Sequence, residues 1–161
     1  MQQHYIIDGY NIIHAIPSLK KALLHDAILA REQLALAVAN FIREKKMRFT
    51  IVFDGAKPHD LRVEPLHSPI HIVYAFPLSA DEKIKSMIEQ SKNRSLLVII
   101  SSDHEIINFA RVCSCTTHTS QYFAQLLRNK ETLADEKDQS SLSKSQVDEW
   151  LRIFNSRKSD E

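Results

Sequence analysis

Short apolar runs that end in an acid alternate along this chain with longer stretches of helical spacing. Tyr5-Ile6-Ile7 runs into Asp8-Gly9, and residues 49–54 (Phe-Thr-Ile-Val-Phe-Asp) again end in an Asp-Gly pair. Both read as strands closed by a turn. Residues 70–75 form a third expected strand. Residues 96–101 form a fourth, continuously apolar from Leu96 to Ile100, as expected when both faces are covered. A short fifth strand is expected over 112–117, where Cys113 and Cys115 would share a face as small buried hydrophobes. Between the first two strands, apolar side chains from Leu23 to Ile42 recur at helical spacing, predicting one helix over 22–46 that closes on the basic run Arg43 to Lys46. Ser79-Ala80-Asp81-Glu82 is a capping box with Ser79 as N-cap, and Ser102-Asp103-His104-Glu105 repeats the pattern. A further helix is expected from about Ser120 to Leu127. The polar stretch 130–142 reads as a linker, and a last helix over 145–155 carries Val147, Trp150, Leu151 and Phe154 on one face.

Strands alternating with helices imply parallel pairing, because parallel neighbours need crossover connections. The expected fold is a three-layer α/β/α arrangement around a mostly parallel sheet of about five strands, plus a C-terminal helix. The expected organisation is a domain over 1–129, a linker over 130–142, and a C-terminal helix and tail over 143–161 packed on the same domain. The chain of 161 residues fits one domain of ordinary size.

Composition then narrows the function. There are 2 glycines, each following an aspartate, so no Gly-rich phosphate loop exists and the dinucleotide-binding and P-loop classes are excluded. Hydrophobic residues make up 43% and charged residues 25%, ordinary values for a soluble globular protein. No apolar run approaches the ~18 residues of a membrane span. Met1-Gln2-Gln3-His4 lacks the features of a signal peptide, so a cytoplasmic setting without membrane partners is expected. The Cys-x-Cys spacing suits neither a zinc site nor a disulfide framework. With 21 basic and 20 acidic side chains the formal net charge is +1, far less basic than a nonspecific nucleic-acid coat. Any attraction for RNA must therefore come from a local patch or from metal ions.

The candidate chemistry lies in four acids. In an open α/β sheet ligands bind beyond the carboxyl ends of the strands, where the strand order reverses. Asp8 ends the first strand, Asp54 ends the second, Asp81 opens the helix after the third and Asp103 follows the fourth. With a strand order of 3-2-1-4-5, Asp8 and Asp103 flank the switch point, and Asp54 and Asp81 lie beside it. Four carboxylates so placed repel one another unless a cation joins them, and oxygen-only ligands suit Mg²⁺ or Mn²⁺. Asn11 is placed to bond a water on the metal or a substrate phosphate. Taken singly, Asp8 and Asp54 also suit turns, Asp81 and Asp103 suit first helical turns, and Asn11 suits a loop. The combination at one sheet edge is what points to a site. Lys57, His59 and Arg62, and Lys83 and Lys85 after Asp81, are candidate phosphate contacts, with ordinary solvated positions as the alternative. Arg31 is placed to cap the site or pair with an acid, and His104 to shuttle protons or simply sit at a helix start.

Tyr5-Ile6-Ile7-Asp8-Gly9-Tyr10-Asn11-Ile12-Ile13, followed by Phe53-Asp54-Gly55, Ser79-Ala80-Asp81 and Ser101-Ser102-Asp103, resembles the NYN domain family, in particular its YacP-like branch. The resemblance covers residues 4–128, and Val-Asp-Glu-Trp-Leu at 147–151 is similar to the same branch. It implies a PIN-like fold and metal-dependent cleavage of RNA. By motif match, Asp8, Asp81 and Asp103 would be metal ligands, supported by Asn11 and Asp54, with Asp54 the ligand that a supporting role alone would also explain. The partners implied are RNA, met free or on the ribosome, for a chain acting as monomer or homodimer.

Two other classes compete. A dehalogenase-like phosphoryl-transfer domain wants a second Asp where this chain has Tyr10. A receiver-like domain needs a phosphoacceptor after the third strand and a Lys after the fifth, where this chain has Phe76-Pro77 and His118-Thr119. A noncatalytic RNA or ribosome adaptor with the same fold is the other class, and it predicts RNA binding that survives loss of metal.

Overall fold

The structure, a computed structural model, describes residues 1–43, 46–58 and 70–137, with 131–137 as backbone. The apolar runs form five strands, β1 (His4–Asp8), β2 (Arg48–Phe53), β3 (Ile70–Tyr74), β4 (Leu97–Ile100) and β5 (Thr116–His118). All pair in parallel, in the order β3-β2-β1-β4-β5, which is the order expected from the sequence. Ile7 at the centre of the sheet lies beside Ile51 on one side and Ile100 on the other.

Successive side chains of a strand point to opposite faces, so both faces of this apolar sheet need a cover. Tyr5, Ile7, Phe49, Ile51, Phe53, Val98 and Ile100 pack on one face with α1 (Gly9–Ala15), α2 (Pro17–His25), α3 (Ala27–Ile42) and the start of α6 (Ser120–Lys137). Ile6, Val52, Leu97 and Ile99 pack on the other with α4 (Ala80–Gln90) and α5 (His104–Val112). The result is a three-layer α/β/α fold. Among the described residues no helix is long and apolar enough to cross a membrane.

Several local expectations are corrected. The stretch read as one helix over 22–46 is divided between α2 and α3. Asp26 makes the break, because its Oδ1 accepts the N–H groups of Ile28 and Leu29 at 2.9 and 3.2 Å and so caps a new helix. Asp8-Gly9 is not a turn, since α1 starts directly at Gly9. Residues 112–115 are not strand. Val112 ends α5, and Ser114 takes a left-handed conformation with φ 63°. Ser114 N–H then donates to Arg111 O and Cys115 N–H to Ala110 O, a Schellman closure of the helix. The two cysteines therefore lie in a helix end, Cys115 buried and Cys113 half-buried. In the second capping pattern the N-cap is Asp103, not Ser102: its Oδ1 accepts from Glu105 N at 2.8 Å and Ile106 N at 3.4 Å. The polar stretch from 130 stays helical to Lys137 as part of α6. The helix expected over 145–155 lies outside the described residues, as do His59 and Arg62.

Candidate active site

The site is built where β1 and β4 diverge. Asp8 is the last residue of β1 and the N-cap of α1, accepting from Asn11 N at 3.5 Å. No loop separates strand from helix here, and that tight passage requires Gly9. A Cβ on Gly9 would stand 2.3 Å from Phe53 Cε1, far inside contact distance. The second glycine serves a different need, because Gly55 after β2 has φ 89°.

Asp8 is only 8% exposed. Burial, together with the negative charges of Asp54 and Asp103, pushes its carboxyl up to about 6, against the hydrogen bonds from Asn11 N–H and Ser101 that favour the anion. Asp8 thus feels the charges of Asp54 and Asp103 across the switch point. Asp103 is tied to Asp8 by one hydroxyl: Asp103 N–H donates to Ser101 Oγ at 3.1 Å, and Ser101 Oγ donates to Asp8 Oδ2 at 3.4 Å. Ser101 is fully buried at the end of the otherwise apolar β4 run. Sequence reasoning gave it no role, although a small hydroxyl closing an apolar strand beside an aspartate was the available signal.

Asp54, exposed after β2, accepts the backbone N–H of Ala80 at 2.7 Å. The expected capping box is present here, with Glu82 N–H on Ser79 Oγ and Ser79 N–H on Glu82 Oε2, and it fixes the turn that carries Asp81. Asp81 does not turn toward Asp8 through any bond. Its Oδ2 pairs with Lys85 Nζ at 3.0 Å, one turn along α4, and Lys85 also reaches Glu105 on α5 at 2.5 Å. Its other oxygen, Oδ1, is buried with no hydrogen-bond partner. Among the described residues, no three His, Cys, Asp or Glu side chains converge closely enough to hold a metal as they stand.

Asn11 acts as a strut. Its Oδ1 accepts Ser102 N–H at 2.9 Å and Ser120 Oγ at 3.2 Å, joining the β1–α1 junction to the β4–α5 loop and to the start of α6. Of the two roles expected of Arg31, pairing with an acid is not found among the described residues. Its Nε donates to Tyr10 Oη at 2.9 Å, its guanidinium lies 5.7–5.8 Å from the ring centres of Tyr10, Phe53 and Tyr74, and its Nη1 is buried without a partner. The rings flank the residues next to Asp8 and Asp54, so Arg31 braces this edge through aromatic faces. Of the candidate phosphate contacts, Lys57 is exposed after β2, Lys83 is half-buried on α4, and Lys85 is committed to its two carboxylates. His104 is an exposed residue at the start of α5.

The donor set fits a hard divalent cation by its chemistry: burial and the charges of Asp54 and Asp103 make ionised Asp8 costly, which a cation would relieve, and Asp81 holds an orphaned buried oxygen.

Two solved structures share this fold. One is the crystal structure of Rae1 (YacP) from Bacillus subtilis, with 17% identity, 98% of this chain and 90% of that chain covered, and a TM-score of 0.68. The other is a tryptophan-to-leucine mutant of the same protein, with 21% identity, coverage of 86% and 80%, and a TM-score of 0.64. No curated protein sequence matches the chain. The family model of the YacP-like NYN domain matches residues 5–158. Matched over nearly its whole length, the chain belongs to the YacP-like NYN domain family, a family of nuclease-type domains.

Proposed function

We propose that this protein is a metal-dependent endoribonuclease that cuts single-stranded RNA at the carboxyl edge of its sheet. The observation that carries the reading is Asp8: a buried carboxylate at the switch point, raised to about 6 by burial and by the charges of Asp54 and Asp103. A protein gains no stability by keeping such a group ionised at neutral pH, whereas a cation-binding site needs it. Asp8, Asp81 and Asp103 would hold Mg²⁺ or Mn²⁺, with Asp54 and Asn11 in support. When bound, such an ion stabilises the charge that builds on a phosphodiester under attack and eases deprotonation of the attacking water. Ser101 holds Asp8 and Asp103 in one network. Asn11 spends its carbonyl on Ser102 and Ser120, which leaves its amide donors for a phosphate oxygen. A flexible strand laid past this edge, RNA met in the cytoplasm, free or on the ribosome, is the proposed partner.

One observation favours the adaptor reading instead. The Asp81–Lys85 pair holds one of the proposed ligands in a structural role. Cleavage of a labelled single-stranded RNA with Mn²⁺, and again with EDTA, decides between them. The expected result is cutting that EDTA abolishes, faster on single strands than on duplex, and reduced by orders of magnitude in Asp8→Asn, Asp81→Asn and Asp103→Asn. RNA binding without cutting in either condition would favour the adaptor.

A further inference from the structure

Beside the acidic edge, on the β5 side, lies a cavity of about 400 Å³ between one face of α5 and the β5–α6 junction. That volume is within the range of small-ligand sites, roughly 300–1,000 Å³. Ser102, the neighbour of Asp103, is among its lining residues. Ile107, Asn108 and Arg111 line one wall, and His118 and Gln121 line the other. No Asp or Glu lines it, although it adjoins a cluster of acids.

The lining has the groups that a nucleobase uses. Bases of single-stranded RNA are held by stacking on flat side chains and by hydrogen bonds along their edges. His118 offers a flat ring, set against Tyr122 with centroids 5.5 Å apart and planes at 33°. Burial lowers its pKa to about 4, so that ring is neutral at physiological pH and adds no charge to the wall. Arg111 is steadied by the bond from its Nε to Thr117 Oγ1 at 3.3 Å, and a guanidinium stacks on bases and pairs with phosphates. Asn108 carries a donor and an acceptor, and Gln121, whose Oε1 accepts from Ser102 Oγ at 2.5 Å, presents its amide donors, which together suit the mixed edge of a base.

We propose that this cavity holds the base of one nucleotide flanking the bond cut at the acidic edge, giving the enzyme a base preference at a single position. The inference rests on the ribonuclease reading above. It makes Asn108, Arg111, His118 and Gln121 specificity residues, outside the acidic centre. Asn108 and Gln121 are exposed, so replacing them leaves the core intact.

The test uses the full chain in EDTA, titrated with hexaadenylate, hexacytidylate and hexauridylate and followed by NMR. Expected are shifts of the Asn108 and Gln121 side-chain amides and of the His118 ring, with affinities that differ about threefold or more among the three RNAs, the worth of one neutral hydrogen bond. The Asn108→Ala/Gln121→Ala double variant should bring the three affinities together. Shifts around Asp8 and Asn11 with none at Asn108, Gln121 or His118 would overturn the subsite, as would an affinity spread unchanged in the double variant. The same RNAs are then assayed for cutting with Mn²⁺. Absence of cutting with the cavity shifts intact overturns the nuclease reading and supports the cavity as an RNA subsite. Cutting without cavity shifts overturns the subsite alone.

Discussion

The backbone N–H of Ala80 donates to the Asp54 carboxylate at 2.7 Å, so the acid that ends the β2 run also anchors the helix turn that carries Asp81. Two acids of the candidate centre are therefore mechanically linked. A short bond from a helix N-terminal N–H to a carboxylate is charge-assisted, and it restrains the first turn of α4 independently of the Ser79–Glu82 box.

Asp54→Asn keeps an acceptor for Ala80, and Asp54→Ala does not. The alanine variant should lose about 1 kcal/mol of stability, the usual worth of one hydrogen bond, while the asparagine variant melts close to the wild type. Both should lose RNA cleavage if the charge of Asp54 assists the cation. Melting in EDTA and cleavage in Mn²⁺ separate the two contributions, and full activity in Asp54→Asn would reduce Asp54 to a helix anchor.

Asp8 predicts a pH dependence of stability. Its carboxyl titrates near 6 in the folded protein and near 4 in an unfolded chain, so the folded state binds the extra proton between those values. The stabilisation from protonated Asp8 is fully present below about pH 4 and is lost as pH rises through about 6. Asp8→Asn removes the buried charge. In EDTA at pH 7.5 the variant should be more stable than wild type by on the order of 1–3 kcal/mol, and the difference should shrink toward pH 4.5. Equal stability at both pH values would mean that Asp8 is not held under this electrostatic load.

Lys85 competes for Asp81. With Nζ 3.0 Å from Asp81 Oδ2, the ammonium occupies an oxygen that a cation would use. Lys85→Met, which keeps an unbranched side chain but removes the ammonium that lies 5.9 Å from the Phe109 ring centre, should tighten Mn²⁺ binding several-fold in calorimetric titration. Weaker binding in this variant would show that the pair holds Asp81 in place for the ion.

Gly9→Ala tests the tight strand-to-helix passage. The added Cβ would overlap Phe53 Cδ1 and Cε1 at 2.5 and 2.3 Å, and Ile51 Cγ2 limits any retreat at 3.0 Å. A loss of about 3 kcal/mol or more in denaturant unfolding is expected, because overpacking in a closed core forces the backbone to move. Asp8 moves with it, so cleavage should fall in the same variant.

The sequence by itself determined the strands β1 to β4, the Ser79–Glu82 box and the end of the sheet at which Asp8 and Asp54 stand. Those features rest on short-range causes: apolar runs that must be covered on both faces, hydroxyl and acidic side chains that satisfy free helix N–H groups, and the rule that parallel strands carry their ligands at one end. Asp26 as a helix cap was equally local and readable, but the apolar spacing across it masked the break. The tertiary structure alone decided how the acids are used. Asn11 bonds a backbone 91 residues away in Ser102, Ser101 reaches Asp8 across 93 residues, and Arg31 lies among rings from three separate segments. The bridge that Lys85 makes from Asp81 on α4 to Glu105 on α5, and the opening of a carboxylate-free cavity beside the acids, depend on how α4, α5 and α6 settle against the sheet. Distances across such packing are set by the volumes of the whole core, and local sequence carries no record of them.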